Sequence, residues 1–322
     1  MFYNTLFYNK SMTFLSIRLS TVRPGLTIPF NVFIYVAGSY VHYLIQGDDF
    51  DQNRLDHLRS RGLKKFHIKE EEEVKYQEFL THILDDIHLE SNTVKTSLAL
   101  DVTENSSIMV MKNPHTEKSY QMAKSSSEIV KKVLSDNNAI LREIVAQGRN
   151  INSNIVDRIR THMVNTVSIA IKFAETLNSG IDMNSLGVAA FYHDVSFNQY
   201  SVEEQKLFFK EVKQMTAKEL TAYKTHPAKS VEALQDKSFA EKDVLELIMT
   251  HEENISGQGF PSGLTKLTQA QELLSLCAFY DREVTCLGKD PLEVYNSVMI
   301  DQLGNYNLDL LKRFKSFIKN FL

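Results

Sequence analysis

The chain of 322 residues has no tryptophan, two cysteines and six prolines. It also has no apolar run near the roughly 18 residues that a membrane-spanning helix needs. Each shortage excludes something. Cys277 and Cys286 cannot build a framework of disulfides, and without a CxxC pair a cysteine-based zinc site is equally unsupported. A reducing, cytoplasmic setting is the simplest reading. Neither sign of charge is in excess: 36 Lys and Arg stand against 40 Asp and Glu, a net charge of -4. No global basic field therefore argues for a nucleic-acid polymer as partner. The opening MFYNTLFYNKSMTFLSIRLS is apolar but broken by Lys10 and Arg18. It lacks an uninterrupted apolar stretch and a small-residue cleavage site, so it is not read as a signal peptide. Part of it reads as an extension outside the fold or a start assigned too early.

What is present is 43% hydrophobic and 24% charged, the composition of a globular protein long enough for two domains. The pattern predicts a mainly α protein: a small α/β domain over 1–115 and an all-helical bundle over 116–322. In the first, FNVFIYVA (30–37) and the stretch 40–45 read as a hairpin, 51–60 as a helix ending at Gly62, and LKKFHI as a further strand. The run Glu70 to Glu73 reads as a solvated helix start. Polar residues over 91–107 and Asn113-Pro114 mark the transition. Helical periodicity then predicts 151–178, 184–195, 201–213, 217–222, 226–235, 240–251, 268–284 and 290–301. The last segment, LLKRFKSFIKNFL, has one apolar and one basic face. A closing helix packed on its own domain is favoured over a membrane-surface helix.

Histidine placement carries the chemistry. Of ten histidines, only His162, His193, His226 and His251 lie beyond residue 150, each in or at the end of a predicted helix. His193 is followed at once by Asp194, in AAFYHDVSF. One such pair alone reads as a hydrogen-bonded core pair. Four histidines spread over a helical domain argue for metal, because imidazole suits transition metals and a carboxylate can bridge two of them. The six earlier histidines, His42, His57, His67, His82, His88 and His115, lack such grouping.

The ordered series His162, His193-Asp194, His226-Pro227, His251-Glu252-Glu253, the loop Gly257-Gln258-Gly259-Phe260-Pro261, and Asp281 resembles the HD-GYP subgroup of the HD-domain metal-dependent phosphohydrolases. The resemblance covers about residues 120–300. It implies an HD-type helical bundle holding two divalent transition metal ions, iron or manganese. His162, His193, Asp194, His226, His251 and Asp281 would be the ligands, with Asp194 bridging. The implied reaction is hydrolysis of cyclic di-GMP, or a related phosphoester, by a hydroxide held between the metals. The loop residues Gly257, Gly259, Phe260 and Pro261 would meet the substrate.

Several positions depart from that pattern. HDIGK has become HDVSF, so Phe197 stands where a lysine is expected, and GYP has become GFP at Phe260. The second histidine of HHE is Glu252, which is open as a ligand, a partner of a ligand histidine, or an exposed residue. A glutamate of three-metal members is replaced by Arg158, either a phosphate-binding cation or half of a surface ion pair. Two roles follow: a working phosphodiesterase, or a catalytically weak protein that keeps metal and nucleotide as a signalling adaptor. The N-terminal domain would receive a signalling partner.

Overall fold

A computed structural model describes residues 13–22, 24–85, 91–135, 138–149, 154–178 and 180–322. The protein is mainly helical and divides into two compact units, Met1–Asn105 and Ser106–Leu322.

The first unit holds a four-stranded antiparallel sheet in the order β1-β4-β2-β3. Strand β1 (Phe14–Arg18) lies toward the end of the apolar opening, of which only part reads as an extension, and residues 1–12 lie outside the described residues. Its alternation buries Leu15 and Ile17 in the sheet core. Strands β2 (Val32–Val36) and β3 (Ser39–Leu44) form the expected hairpin. Helix α1 (Gln52–Ser60) starts where the Asp51 side chain accepts from the Arg54 amide. Strand β4 (Lys65–Lys69) then pairs with both β1 and β2.

The acidic run 70–73 leads into helix α2 (Glu73–Asp85), but it is not solvated as its charge predicts. Glu72 and Glu73 are buried, and Glu72 Oε1 accepts from the backbone and side-chain nitrogens of Asn31. Helix α3 (Asn92–Lys112) runs through the polar stretch read as a transition. That stretch contains neither glycine nor proline. Its buried hydroxyls are satisfied along the helix, as when Thr103 donates to the Ala99 carbonyl.

The second unit comprises α4 (Glu117–Leu134), α5 (Asn138–Arg149), α6 (Ile155–Leu177), α7 (Met183–Tyr192), α8 (Val202–Gln205), α9 (Ala217–Tyr223), α10 (His226–Glu232), α11 (Lys242–Thr250), α12 (Gln269–Asp281), α13 (Pro291–Asp301) and α14 (Leu308–Ile318). Its axis is α6, capped by the Asn154 side chain and closed by Asn178 in the left-handed conformation. Helices α4, α5, α7 and α12 pack around it, which is why almost every side chain from Ile159 to Ala174 is buried.

The stretch 201–213 does not form one helix. It breaks into α8 and short 3-10 turns, with Lys210 extended, and the Lys210 carbonyl accepts from Arg282 Nη2 at 2.8 Å. Helix α14 lays Phe314 and Phe317 on Phe173 of α6, each pair of ring centroids 5.1 Å apart. Its apolar stripe is thus a packing face. No helix among the described residues is long and apolar enough to cross a membrane.

Candidate metal centre

Three helix ends and one helix interior deliver the histidines to one point. A helix leaves its last carbonyls without intrahelical partners, and a histidine there can use one of them. His193, just past α7, bonds through Nδ1 to the Ala190 carbonyl at 2.8 Å. His251, just past α11, does the same with Ile248 at 2.7 Å, and His226 with the Tyr223 carbonyl at the end of α9, also at 2.7 Å. His162, inside α6, has no free carbonyl nearby. Its Nδ1 donates to Asp281 Oδ2 at 2.8 Å instead.

Carbonyls and carboxylates only accept, so each Nδ1 carries the proton and each neutral ring turns a bare Nε2 inward. These Nε2 atoms meet in pairs: His162 with His193 at 3.0 Å, and His226 with His251 at 2.9 Å. Two facing lone pairs at that distance repel each other, and a cation bound by both would relieve the repulsion. Asp194 lies between the pairs. Its Oδ2 is 3.6 Å from His162 and 3.5 Å from His193, while its Oδ1 is 3.4 Å from His226 and 3.5 Å from His251. Oδ1 is buried with no hydrogen-bond partner, a costly state for a carboxylate oxygen. Two donor triads therefore share one carboxylate, His162–His193–Asp194 and Asp194–His226–His251. Nitrogen and oxygen donors of this kind fit a pair of divalent transition metal ions.

Titration fits as well. Burial drives His193 down to about 3 and His226 down to about 4, with Asp194 opposing, so both rings are neutral and free to ligate at neutral pH. Burial opposes ionisation of Asp194, but the surrounding histidines, His193 foremost, outweigh it and hold the carboxyl well below its ordinary range. At His251 burial is outweighed by Asp194, and its pKa is raised. For the metal-free protein the sign follows directly. As pH falls from 6.5 toward 3, the unfolded chain takes up protons at His193 and His226 that the folded chain refuses, so stability falls. The raised His251 contributes the opposite sign, and so does Asp101 in the other unit, whose carboxyl burial lifts to about 7. With Asp101 replaced by Asn, the two lowered histidines stand against His251 alone, and melting that chelated variant at pH 7.5 and pH 5 should give the lower midpoint at pH 5.

Asp281 was expected as a ligand, but it belongs to neither triad. Both its oxygens are occupied: Oδ2 by His162, and Oδ1 by Asn165 Nδ2 at 2.9 Å and Thr285 Oγ1 at 3.0 Å. It fixes the tautomer and orientation of His162, the usual service of a carboxylate behind a ligand histidine. In Asp281→Asn, the new amide must face either the His162 N–H or the Asn165 N–H, donor against donor. Metal titration should then show a roughly 10–100-fold loss of affinity at one site and little change at the other.

Glu252 is partly exposed and close to the second triad, with Oε1 3.6 Å from His226 Nε2. The same oxygen accepts from the Tyr223 hydroxyl at 2.6 Å. Arg158 has a different role from either expected one. It donates to the carbonyls of Thr285 and Cys286, holding the π-helical turn Arg282–Cys286 that follows α12.

The 257–261 loop folds back on the ligand segment and does not cover the cluster. Glu253 is buried and accepts from the amides of Ser262, Gly263 and Leu264, and the Phe260 amide donates to the Glu252 carbonyl. Gly257 turns the chain with φ of +76°, and Gly259 packs directly on the 252–254 backbone. Phe260 is 7% exposed, edge-on to His226 and Tyr223 with centroids 5.8 Å apart in both cases, so its ring is a packing partner. None of Gly257, Gly259, Phe260 and Pro261 lines the cleft over the cluster. That cleft is lined instead by Glu252, Asn254, Arg282, Gln302 and Tyr306, among others. Phe197 is fully buried against Phe208 and Phe209.

Among the six earlier histidines, His115 lies in the second unit and bonds to the Ala233 carbonyl, while His88 lies outside the described residues. Two residues at the centre escaped the sequence reading. Tyr223 and Arg282 each adjoin a named element, three residues before His226 and one after Asp281, but no motif marks them.

The family profile described as HD domain matches residues 150–268, the span containing all four clustered histidines and Asp194. The helical unit carries an HD domain. A solved structure, Bd1817, described as a HDG"Y"P protein from Bdellovibrio bacteriovorus, is similar over 95% of this chain and 100% of its own. The TM-score is 0.65 and the identity 24%. At that identity the likeness establishes the fold. No curated protein sequence matches the chain.

Proposed function

We propose that this HD-domain protein is a metal-dependent phosphodiesterase with a binuclear centre, acting on cyclic di-GMP. The observation that carries the reading is the sharing of Asp194 between two histidine pairs whose lone pairs face each other. Bound there, two divalent cations, iron or manganese, would supply Lewis acidity toward a phosphate and an activated water near neutral pH. The chain's own residues hold and orient that pair. The backbone carbonyls and Asp281 fix the ring tautomers, and Asp194 supplies negative charge to both positions. Glu252, held by Tyr223, adds negative charge beside His226. The kinship of the helical domain and the likeness in fold to an HDG"Y"P protein support the reaction class.

The test is to load purified protein with iron or manganese, count metal per chain, and follow cyclic di-GMP by chromatography. Two metals per chain and release of linear dinucleotide or GMP are expected. Absence of metal, or turnover unaffected by Asp194→Ala, would sink the proposal.

A second reading is favoured by one observation. Phe197 is sealed among phenylalanines, so that position offers no proton donor to a leaving group. A missing general acid commonly costs on the order of 10²–10⁴ in rate. On this reading the protein binds nucleotide as a signalling adaptor, with the N-terminal unit meeting its partner. Tight binding of cyclic di-GMP by the metal-loaded protein without turnover would favour it. Turnover of another phosphoester alone would instead move the substrate.

A further inference from the structure

The guanidinium of Arg282 is the one Lys or Arg side chain among the residues lining the cleft over the histidine cluster. Its Nη2 donates to the Lys210 carbonyl at 2.8 Å, but its Nε–H is buried with no acceptor. A buried, charged donor without a partner is expensive to keep in a fold. The surroundings keep it charged. Its carbon centre lies 5.1 Å over the ring of Tyr223, whose hydroxyl is bonded to Glu252.

Local backbone explains how the side chain gets there. Arg282 opens the π-helical turn after α12, a geometry with one extra residue per turn that often occurs at functional sites. Arg158 anchors the far end of that turn through the carbonyls of Thr285 and Cys286. One arginine thus fixes the turn from outside, and the other lines the cleft while its buried Nε–H lacks a partner.

We propose that Arg282 is the substrate anchor of this site, donating to a non-bridging oxygen of the phosphodiester that enters the cleft. The inference rests on the phosphodiesterase reading above and adds to it a cation from the chain itself. An arginine fork suits phosphate better than an ammonium does, because two parallel N–H groups can meet two oxygens. Of the other cleft residues, Asn254, Gln302 and Tyr306 are neutral, while Glu252 is bonded to the Tyr223 hydroxyl and Glu253 to three loop amides, so Arg282 is the chain's own positive side chain for an anion there.

The test uses the full chain loaded with manganese and two variants, Arg282→Gln and Arg282→Lys. Inorganic phosphate binding is measured by calorimetry, hydrolysis of bis(p-nitrophenyl) phosphate by absorbance, and metal per chain by elemental analysis. Arg282→Gln should weaken phosphate binding by about 10–100-fold and raise KM by a similar factor, with metal content unchanged. Arg282→Lys keeps the charge but loses the fork, so its effect should be intermediate. It also carries the test if the glutamine variant does not fold. Equal phosphate affinity in folded, metal-loaded variants would overturn the anchor and leave the phosphodiesterase reading standing. Loss of metal with unchanged phosphate affinity per loaded site would also overturn it, making Arg282 a support of the metal centre. If the wild-type protein holds metal but neither binds phosphate nor cleaves the diester, the phosphodiesterase reading fails and takes the anchor with it.

Discussion

Asp194→Asn is expected to abolish binding of both metals, not one. Each carboxylate oxygen serves a different histidine pair, at 3.4–3.6 Å from the Nε2 atoms. An asparagine would turn an N–H₂ toward one pair and a weaker neutral oxygen toward the other. Losing an outer partner of a ligand costs about 10–100-fold in affinity, and losing the shared anionic ligand should exceed that at both positions. Turnover should fall with it. The same variant also separates a metal site from an ordinary core pair. In a core pair, Asp194→Asn would destabilise the protein even in chelator, because a satisfied buried group loses its partner. In a metal site the gap between wild type and variant should instead open when metal is added, since ligand binding at 100 times Kd adds about 2.7 kcal/mol to the wild type alone. Differential scanning in chelator and in excess manganese reads both halves.

Gly259→Ala should be the most damaging substitution in the loop. A Cβ there would stand 2.5 Å from Glu253 Cα, 2.6 Å from the Asn254 nitrogen and 2.8 Å from the Glu252 carbonyl oxygen. All three are backbone atoms, so none can swing away as a side-chain tip would. Either the loop or the 252–254 segment must move. Overpacking of this kind costs about 1–3 kcal/mol, and here it pushes directly on the residues following His251. Metal affinity should consequently fall at the His226–His251 position more than at the His162–His193 position. Gly257→Ala gives the comparison. Its Cβ would meet the methyl of Thr265 at 3.2 Å and the Gly263 carbonyl oxygen at an ordinary 3.7 Å, so its cost should come mainly from the positive φ and stay near 1 kcal/mol. Thermal melting ranks the two. Equal midpoints for Gly259→Ala and wild type would mean that the loop does not press on the ligand segment.

Hydrophobic periodicity, helix-capping residues and the order of four histidines determined much of this protein without any tertiary information. The hairpin and the helical unit follow from local rules, and the five side chains of the two triads are legible through the resemblance of the ordered histidine series to a known family. Spacing could not assign Asp281, whose oxygens are claimed by three groups from α6 and the turn after α12. It also misled at Arg158 and Phe260, each polar or aromatic in the right place along the chain but turned to packing by its neighbours. Strand β1 was hidden for the same kind of reason: five residues of alternation are too few to stand out until β4 lies beside them. Arg282 is the clearest case. Its charge was plain in the sequence, whereas its buried, unpaired Nε and its place in the cleft depend on a π-helical turn held by a residue more than a hundred positions away. Local pattern sets which elements form. Which side chains share a cavity depends on how those elements pack, and the packing is a property of the whole domain.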